Sequence, residues 1–203
     1  MLAASAPATI INVPADQPTI QQAINAADHG DFILVSPGTY AEHLNYSGKA
    51  ISIQSTAGPE NTVIDGTNNG AVVTFQTHEG PQSTLSGFTI RRGSASFGAG
   101  VTLLGASPTI TDNIFRDNNQ GGGGFGAAIG GNSASPVIEG NTFQFNSCDT
   151  QSLSGVVSFV NSSSPHIYNN IFGQNQCRAI NMTLPEATVR WLRTIRSCRT
   201  ASV

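Results

Sequence analysis

Charge is scarce in this chain: Asp, Glu, Lys and Arg make up 10% of its 203 residues, and the net charge is −3. Without a general basic field to hold a phosphate backbone, nucleic acid is excluded as an expected partner. Long apolar runs are missing as well. None approaches the roughly 20 residues of a membrane-spanning helix, so no membrane span is expected. Cysteine is limited to Cys148, Cys177 and Cys198, too few and too odd a number for a disulfide scaffold. Hydrophobic residues reach only 38%, low for a globular chain but enough at this length for one soluble domain with a core. Glycine is plentiful at 22 residues, together with Asn, Ser and Thr. A solvent face built from neutral hydrogen-bonding side chains suits sugars better than phosphates.

Three segments repeat: Ser107–Asn118, Ser135–Asn146 and Ser164–Asn175, displaced by 28 and 29 residues. Pro108/136/165, Ile110/138/167, Asn113/141/170, Phe115/143/172 and Asn118/146/175 hold fixed offsets within them. A fainter copy, Ser83–Gly93, fits at a shift of 25 and places Leu85 and Ile90 where Ile110 and Phe115 fall. Short strands precede the later copies at Val101–Leu103, Ala127–Ile129 and Val156–Phe159. Such a repeat with a period-two apolar pattern is that of a β-solenoid, in which no coil can bury its own inner face and stacking supplies the core. Leu spacing of the leucine-rich kind is absent. The Asn columns are expected to be structural, because Asn tolerates unusual turn angles and stacked amides bond along a ladder of about 4.8 Å. The Phe column is expected to be an internal aromatic stack, with sugar stacking as the alternative.

The chain opens with a small-residue stretch, residues 1–11, which has the character of a lead-in or the remnant of an export signal. Thr19-Ile-Gln-Gln22 is a capping-box pattern, Ile20, Ala23, Ile24 and Ala27 share one helical face, and Gly30 can end the helix. An amphipathic capping helix is therefore expected near 19–29, followed by a strand and turn over Asp31–Tyr40 and by strands at Ile51–Ile53, Val63–Ile64 and Val72–Phe75. Residues 12–181 would form the solenoid. Residues 182–203 depart from it: glycine and asparagine vanish and Arg190, Arg193, Arg196 and Arg199 recur every third residue. A capping helix begun by Thr183-Leu-Pro-Glu186 and a truncated or frame-altered tail are both open readings.

These segments resemble the pectate-lyase-like right-handed parallel β-helix superfamily. The resemblance rests on the Gln-containing helix, Gly30-Asp31 before Ile33, Val35 and Pro37–Tyr40, the Val63-Ile-Asp-Gly66 segment, and the Ile/Asn/Phe/Asn repeat, over residues 12–181. It implies an all-β, right-handed parallel β-helix of six or seven coils with an N-terminal amphipathic capping helix. The superfamily includes pectate lyases, polygalacturonases, alginate epimerases, phage tailspikes and adhesins. The Phe-x-x-Asn copies and Gly126–Ile129 also resemble the repeat of polymorphic outer-membrane adhesins, with Ala127 in place of that signature's second glycine. The tandem Asp-Asp of polygalacturonases and the Asp-Pro-His-Glu of alginate epimerases are missing. Gly121–Gly124 lacks the Lys-Ser/Thr of a phosphate loop and is expected to be a flexible turn.

Strand alternation turns Thr109/Val137/His166 and Thr111/Glu139/Tyr168 outward if the Ile column is inward. Glu139, His166 and Tyr168 then share one face, either a polar surface or a sugar-binding or acid/base site, with Glu139 and Tyr168 in hydrogen-bonding reach. Phe115 inward makes Arg116 outward, with Arg91 beneath it and Arg92 beside the position of Asp117. This charge-dense spot can be a salt-bridge cluster, or can bind a uronate carboxylate bidentately, with Arg92 as a substrate contact. Ca²⁺ shared by Asp112, Asp117 and the sugar acid would suit hard oxygen ligands. In an enzyme the expected reaction is then β-elimination on a uronate: Asp112 and Asp117 hold Ca²⁺, and Arg116 or Arg91 takes the acidified proton or stabilises the enolate. Two carboxylates could instead support hydrolysis.

The expected function is a secreted or cell-surface carbohydrate-binding or carbohydrate-active β-helix acting on an acidic polysaccharide. The alternative is a non-catalytic adhesin-like or envelope structural repeat. The C-terminal end of the solenoid is a candidate face for self-association. Cys148 and Cys177 lie twelve residues after Pro136 and Pro165, so one should sit above the other, bridged or as stacked free thiols.

Overall fold

The computed structural model describes residues 7–148, 154–183 and 196–198. Short strands, most of them two to four residues long, fall into three long parallel sheets, because each rung can satisfy its backbone groups only against the rung above and below. The first sheet has seven strands, Ile10–Val13, Phe32–Val35, Ser52–Ser55, Thr84–Ser86, Thr109–Thr111, Val137–Glu139 and His166–Tyr168. A second, also of seven, runs from Gly38–Tyr40 through Thr62–Asp65, Thr89–Arg91, Ile114–Arg116, Thr142–Gln144 and Ile171–Gly173 to Arg196–Cys198. The third runs from Leu44–Asn45 to Arg178–Thr183 in six strands. From Phe32–Val35 to His166–Tyr168 the chain returns to the first sheet through about five complete turns, fewer than the six or seven expected, since the end rungs are partial.

The register is the one the repeat implies. Ile110 lies between Leu85 and Ile138, and Phe115 between Ile90 and Phe143. Alternate residues of each strand point inward, which buries Ile33, Ile53, Leu85, Ile110 and Ile138 on the first sheet. On the second sheet Phe115, Phe143 and Phe172 stack with ring centroids 4.9 and 4.6 Å apart. All three rings are buried, so they form core and are closed to sugar.

Two Asn ladders turn the corners on either side of the second sheet. Asn141 Oδ1 accepts from the backbone N–H of Asn113 at 3.0 Å and from its Nδ2 at 3.1 Å, while Asn141 Nδ2 donates to Ile110 O and to Asn170 Oδ1. Asn118, Asn146 and Asn175 repeat the pattern. Asn113, Asn141, Asn146 and Asn118 are fully committed to this scaffold and buried, which rules them out as catalytic groups.

The N-terminal helix spans Ile20–Ala26 and buries Ile20, Ala23 and Ile24. Thr19 Oγ1 accepts from Gln22 N–H, as the capping box requires, but the carboxylate at the helix start comes from Glu42, which accepts from Ile20 and Gln21 N–H. At the other end the Lys49 ammonium donates to the carbonyls of Ile24, Asn25 and Ala27. The helix ends before the expected 29 because Gly30 N–H is drawn to Ala50 O to begin the first rung.

Ile10–Val13 is a strand in register with Phe32–Val35 and begins the first sheet. At the far end strands continue past 181, through Thr183 and again at Arg196–Cys198, which pairs with Ile171–Gly173. The helix expected over Leu184–Ile195 lies outside the described residues, as do residues 1–6.

Cys148 and Cys177 are joined, with Cα atoms 5.6 Å apart on neighbouring rungs, so the bridged alternative is the one realised. Gly121–Gly124 is a bulged strand rather than a simple turn. Residues 119–125 pair with 94–97 in a small fourth sheet whose register jumps between Ala95 and Phe97, and Gly122 and Gly123 absorb the surplus at φ of 74° and 73°. On the third sheet Gly131 leaves the room that the Phe159 ring occupies on the next rung.

Candidate functional site

The outer face of the second sheet carries the arginines. Its register sets Asp65, Arg91, Arg116 and Gln144 in one outward column on four successive rungs. After Arg91, Arg116 and Gln144 the next residue turns the corner with positive φ, which sets Arg92 (54°), Asp117 (54°) and Phe145 (56°) in a second column alongside.

Asp65 is the anchor. Its side chain is only 4% exposed, and it accepts from Arg91 Nε and Arg92 Nε, both at 2.9 Å, and from Thr67 N–H. Arg91 and Arg92 remain partly exposed, as does Arg116, which pairs with Asp117 at 2.8 Å. Each ion pair uses Nε of a guanidinium that carries five donors, so the pairing orients the fork rather than consuming it. Two guanidiniums directly in register on adjacent rungs repel. Asp65 and Asp117 offset that repulsion, and an external carboxylate or sulfate lying between Arg91 and Arg116 would offset it further.

Burial pushes the Asp65 carboxyl up, but the Thr67 N–H and the two arginines outweigh it and hold it below the usual carboxylate range. A carboxylate depressed in the folded state contributes stability that is present above its unfolded value of about 4 and is lost as pH falls through the lower folded value. Asp65→Asn should therefore lower the melting temperature at neutral pH, and its gap from the native protein should narrow as pH falls below the ordinary carboxylate range. Thermal melts of both proteins across that range check this; a gap independent of pH would show that the carboxylate charge is not what the arginines hold.

Asp65 was absent from the expected site. Its signal was the Val63-Ile-Asp-Gly66 segment, which continues the repeat one rung further back, with Ile64 under Ile90. Asp112 and Asp117, expected to share a calcium ion, stand at corners on opposite sides of the strand Ile114–Arg116, both with positive φ. Among the described residues no three His, Cys, Asp or Glu side chains gather in a way that could hold a metal.

On the first sheet Glu139, His166 and Tyr168 share a face as expected. Tyr168 O–H donates to Glu139 Oε2 at 2.8 Å across the rungs, and Asn169 Nδ2 adds a second donor to the same carboxylate. This bond, with some burial, pushes the Tyr168 phenol up, which makes it a donor and no base. His166 is exposed and sits opposite Val137.

Sequence reasoning missed a shallow groove of about 800 Å³ beside the third sheet. Phe97 and Phe125, in register on the fourth sheet, form one wall, and Asn132, Val160, Asn161, Ser162 and Thr183 line the rest. Asn161 Nδ2 donates to Asn132 Oδ1 at 2.7 Å. No lining residue is charged. The signal lay in the irregular segment around Gly121–Gly124, where no repeat offset predicts which way a side chain faces.

Among the described residues no helix is long and apolar enough to cross a membrane. No curated protein matches the chain. Two solved structures are similar to it. One is a mutant pectin methylesterase in complex with a hexasaccharide, 12% identical, with 97% of this chain and 94% of that chain covered and a TM-score of 0.37. The other is the pectin methylesterase from carrot, also 12% identical, with 98% and 90% covered and a TM-score of 0.43. A family model described as the right handed beta helix region matches residues 49–190, well over half of the chain, and its rungs are those traced above; the chain belongs to the right-handed β-helix family.

Proposed function

We propose that this protein is an exported carbohydrate-binding β-helix whose second-sheet face takes an acidic polysaccharide. One observation carries the reading: three guanidiniums on two adjacent rungs, Arg91, Arg92 and Arg116, held outward by the carboxylates of Asp65 and Asp117. That arrangement presents paired forks at rung spacing to an extended anionic chain. The Cys148–Cys177 bridge suits an oxidising compartment and supports export to the cell surface or medium. The N-terminal helix, packed on the first strands, is proposed as the plug of that end, and the other end as a face for self-association.

Binding without turnover is favoured over the lyase reaction, because a guanidinium at neutral pH is a donor and not a base. Calcium, if it takes part, would have to bridge Asp112 or Asp117 singly to the ligand's own carboxylate, since one strand keeps them apart. The adhesin-like alternative draws on the uncharged groove of Phe97, Phe125, Asn132 and Asn161, which suits a neutral glycan or protein contact.

The test is affinity for polygalacturonate and alginate against a neutral glucan, with and without calcium or chelator, while absorbance monitors unsaturated products. Arg116→Ala should weaken uronan binding about 10-fold or more and leave the glucan unaffected, as expected for losing a charge-assisted hydrogen bond. Raised salt should act in the same direction. Equal losses on acidic and neutral glycans would sink the acidic reading, and calcium-dependent product release would replace binding by lyase chemistry.

A further inference from the structure

Phe145 breaks two rules of a well-formed β-helix at one position. Its side chain is 45% exposed, although a Phe in this chain has a core to enter. It also adopts φ of 56°, a left-handed conformation that costs a bulky L-residue free energy. Among the described non-glycine residues with positive φ it is the one hydrophobic side chain; the others are polar, such as Asn68, Asn161 and Asn169. The corner itself requires the positive φ, since Arg92, Asp117 and Gln174 share it on the neighbouring rungs. Nothing in the corner requires an aromatic ring. Strain combined with an exposed ring at one point is the pattern of a residue kept for a ligand.

Its position says which ligand. Gln144 continues the column of Arg91 and Arg116 one rung further along, and Phe145 stands beside it, next to Asp117, the partner of Arg116. A ligand lying along the solenoid axis would pass Arg91 and Arg116 one step of about 4.8 Å apart, comparable to the length of one pyranose unit, and one step further would meet Phe145 in the neighbouring column beside Gln144. Two steps offer guanidiniums to carboxylates. The third offers an aromatic face to the apolar C–H side of a sugar ring.

We infer that Phe145 is a sugar-stacking platform at the end of the arginine column, so that the second-sheet corner binds a uronan parallel to the axis, acid groups on Arg91 and Arg116 and a ring on Phe145. The inference rests on the acidic-polysaccharide reading above and adds the direction of the chain and a non-ionic contact.

The experiment uses the full chain, polygalacturonate, and a galacturonate monomer and trimer. Phe145→Asn places a residue that this chain already uses at the same backbone angle, so it should relieve strain and raise the melting temperature by about 2–4 °C. The same variant should bind the polymer and trimer about 3–10-fold more weakly, while monomer binding is unchanged. Phe145→Trp should retain trimer affinity. A Phe145→Asn protein that binds the trimer like the native one, while Arg116→Ala loses binding, would overturn the stacking role and leave the acidic-glycan function standing. A lowered melting temperature would show that the ring supports the fold and is not held for a ligand. Loss of nothing in Arg116→Ala, or no uronan binding by the native protein, would remove the function and this inference with it.

Discussion

Phe143→Ala should lower the stability of this protein by about 3–5 kcal/mol, the largest loss expected from any single side chain described above. Phe143 is the middle ring of a three-ring stack, with neighbours nearly parallel at interplanar angles of 10° and 12°. Truncation removes both stacking contacts at once and leaves a cavity between two rungs whose separation is fixed by the backbone ladders. The strands above and below cannot close on it without breaking the parallel register from Ile114–Arg116 to Ile171–Gly173. The cost should therefore sit toward the upper end of the range for buried aromatic residues. Phe143→Leu keeps much of the volume and should cost about half as much. In a solenoid the loss is transmitted mainly to neighbouring coils, so the melt should also broaden. Circular dichroism against temperature reads both effects, and an unchanged midpoint in Phe143→Ala would mean that the ring is not internal.

Reducing the Cys148–Cys177 bridge should cost about 3–4 kcal/mol, the chain-entropy value for a loop of this size. The two residues are 29 apart, one coil, so the crosslink closes a single turn around the solenoid near the last complete rungs. Its effect should be concentrated there: loss of the bridge leaves the strand Arg178–Thr183 held by its ladder with Gly155–Val160 and by the packing of Ala179 and Ile180 on the core. A melt in excess reductant and the double variant Cys148→Ser/Cys177→Ser should agree in direction and in magnitude. If reduction leaves the midpoint unmoved while non-reducing mass spectrometry shows the bridge intact beforehand, the native coil is already held in place without it. If the only linkage found involves Cys198, the stacking of those two coils is wrong.

Much of this was legible in the sequence, and the reason is the repeat. Fixed offsets of Ile, Asn and Phe state which residues face inward, and parallel stacking turns a shift of 28 or 29 residues into a contact list. That Tyr168 lies beside Glu139, Arg91 beside Arg116, and Cys148 beside Cys177 follows from that alone, whereas the bridge between the two cysteines does not. Composition set the polar, nearly uncharged character of the surface, and the helix pattern near residue 20 set its buried face.

What the tertiary structure decided lies where the period fails. Asp65 holds Arg91 and Arg92 because a turn brings a second guanidinium to the same carboxylate, and the offset of Arg92 from Asp65 belongs to no repeat. The groove of Phe97 and Phe125 depends on a bulge whose size no spacing states. Glu42 and Lys49 hold the two ends of the helix from more than 20 positions away, in addition to the local Thr19 cap that the sequence offered. Phe145 holds no fixed offset in the repeat, and the corner turns it outward. A periodic pattern encodes its own contacts because every rung meets a copy of itself. An irregular turn meets something different at each rung, so which side chains it brings together is settled only when the whole chain has folded.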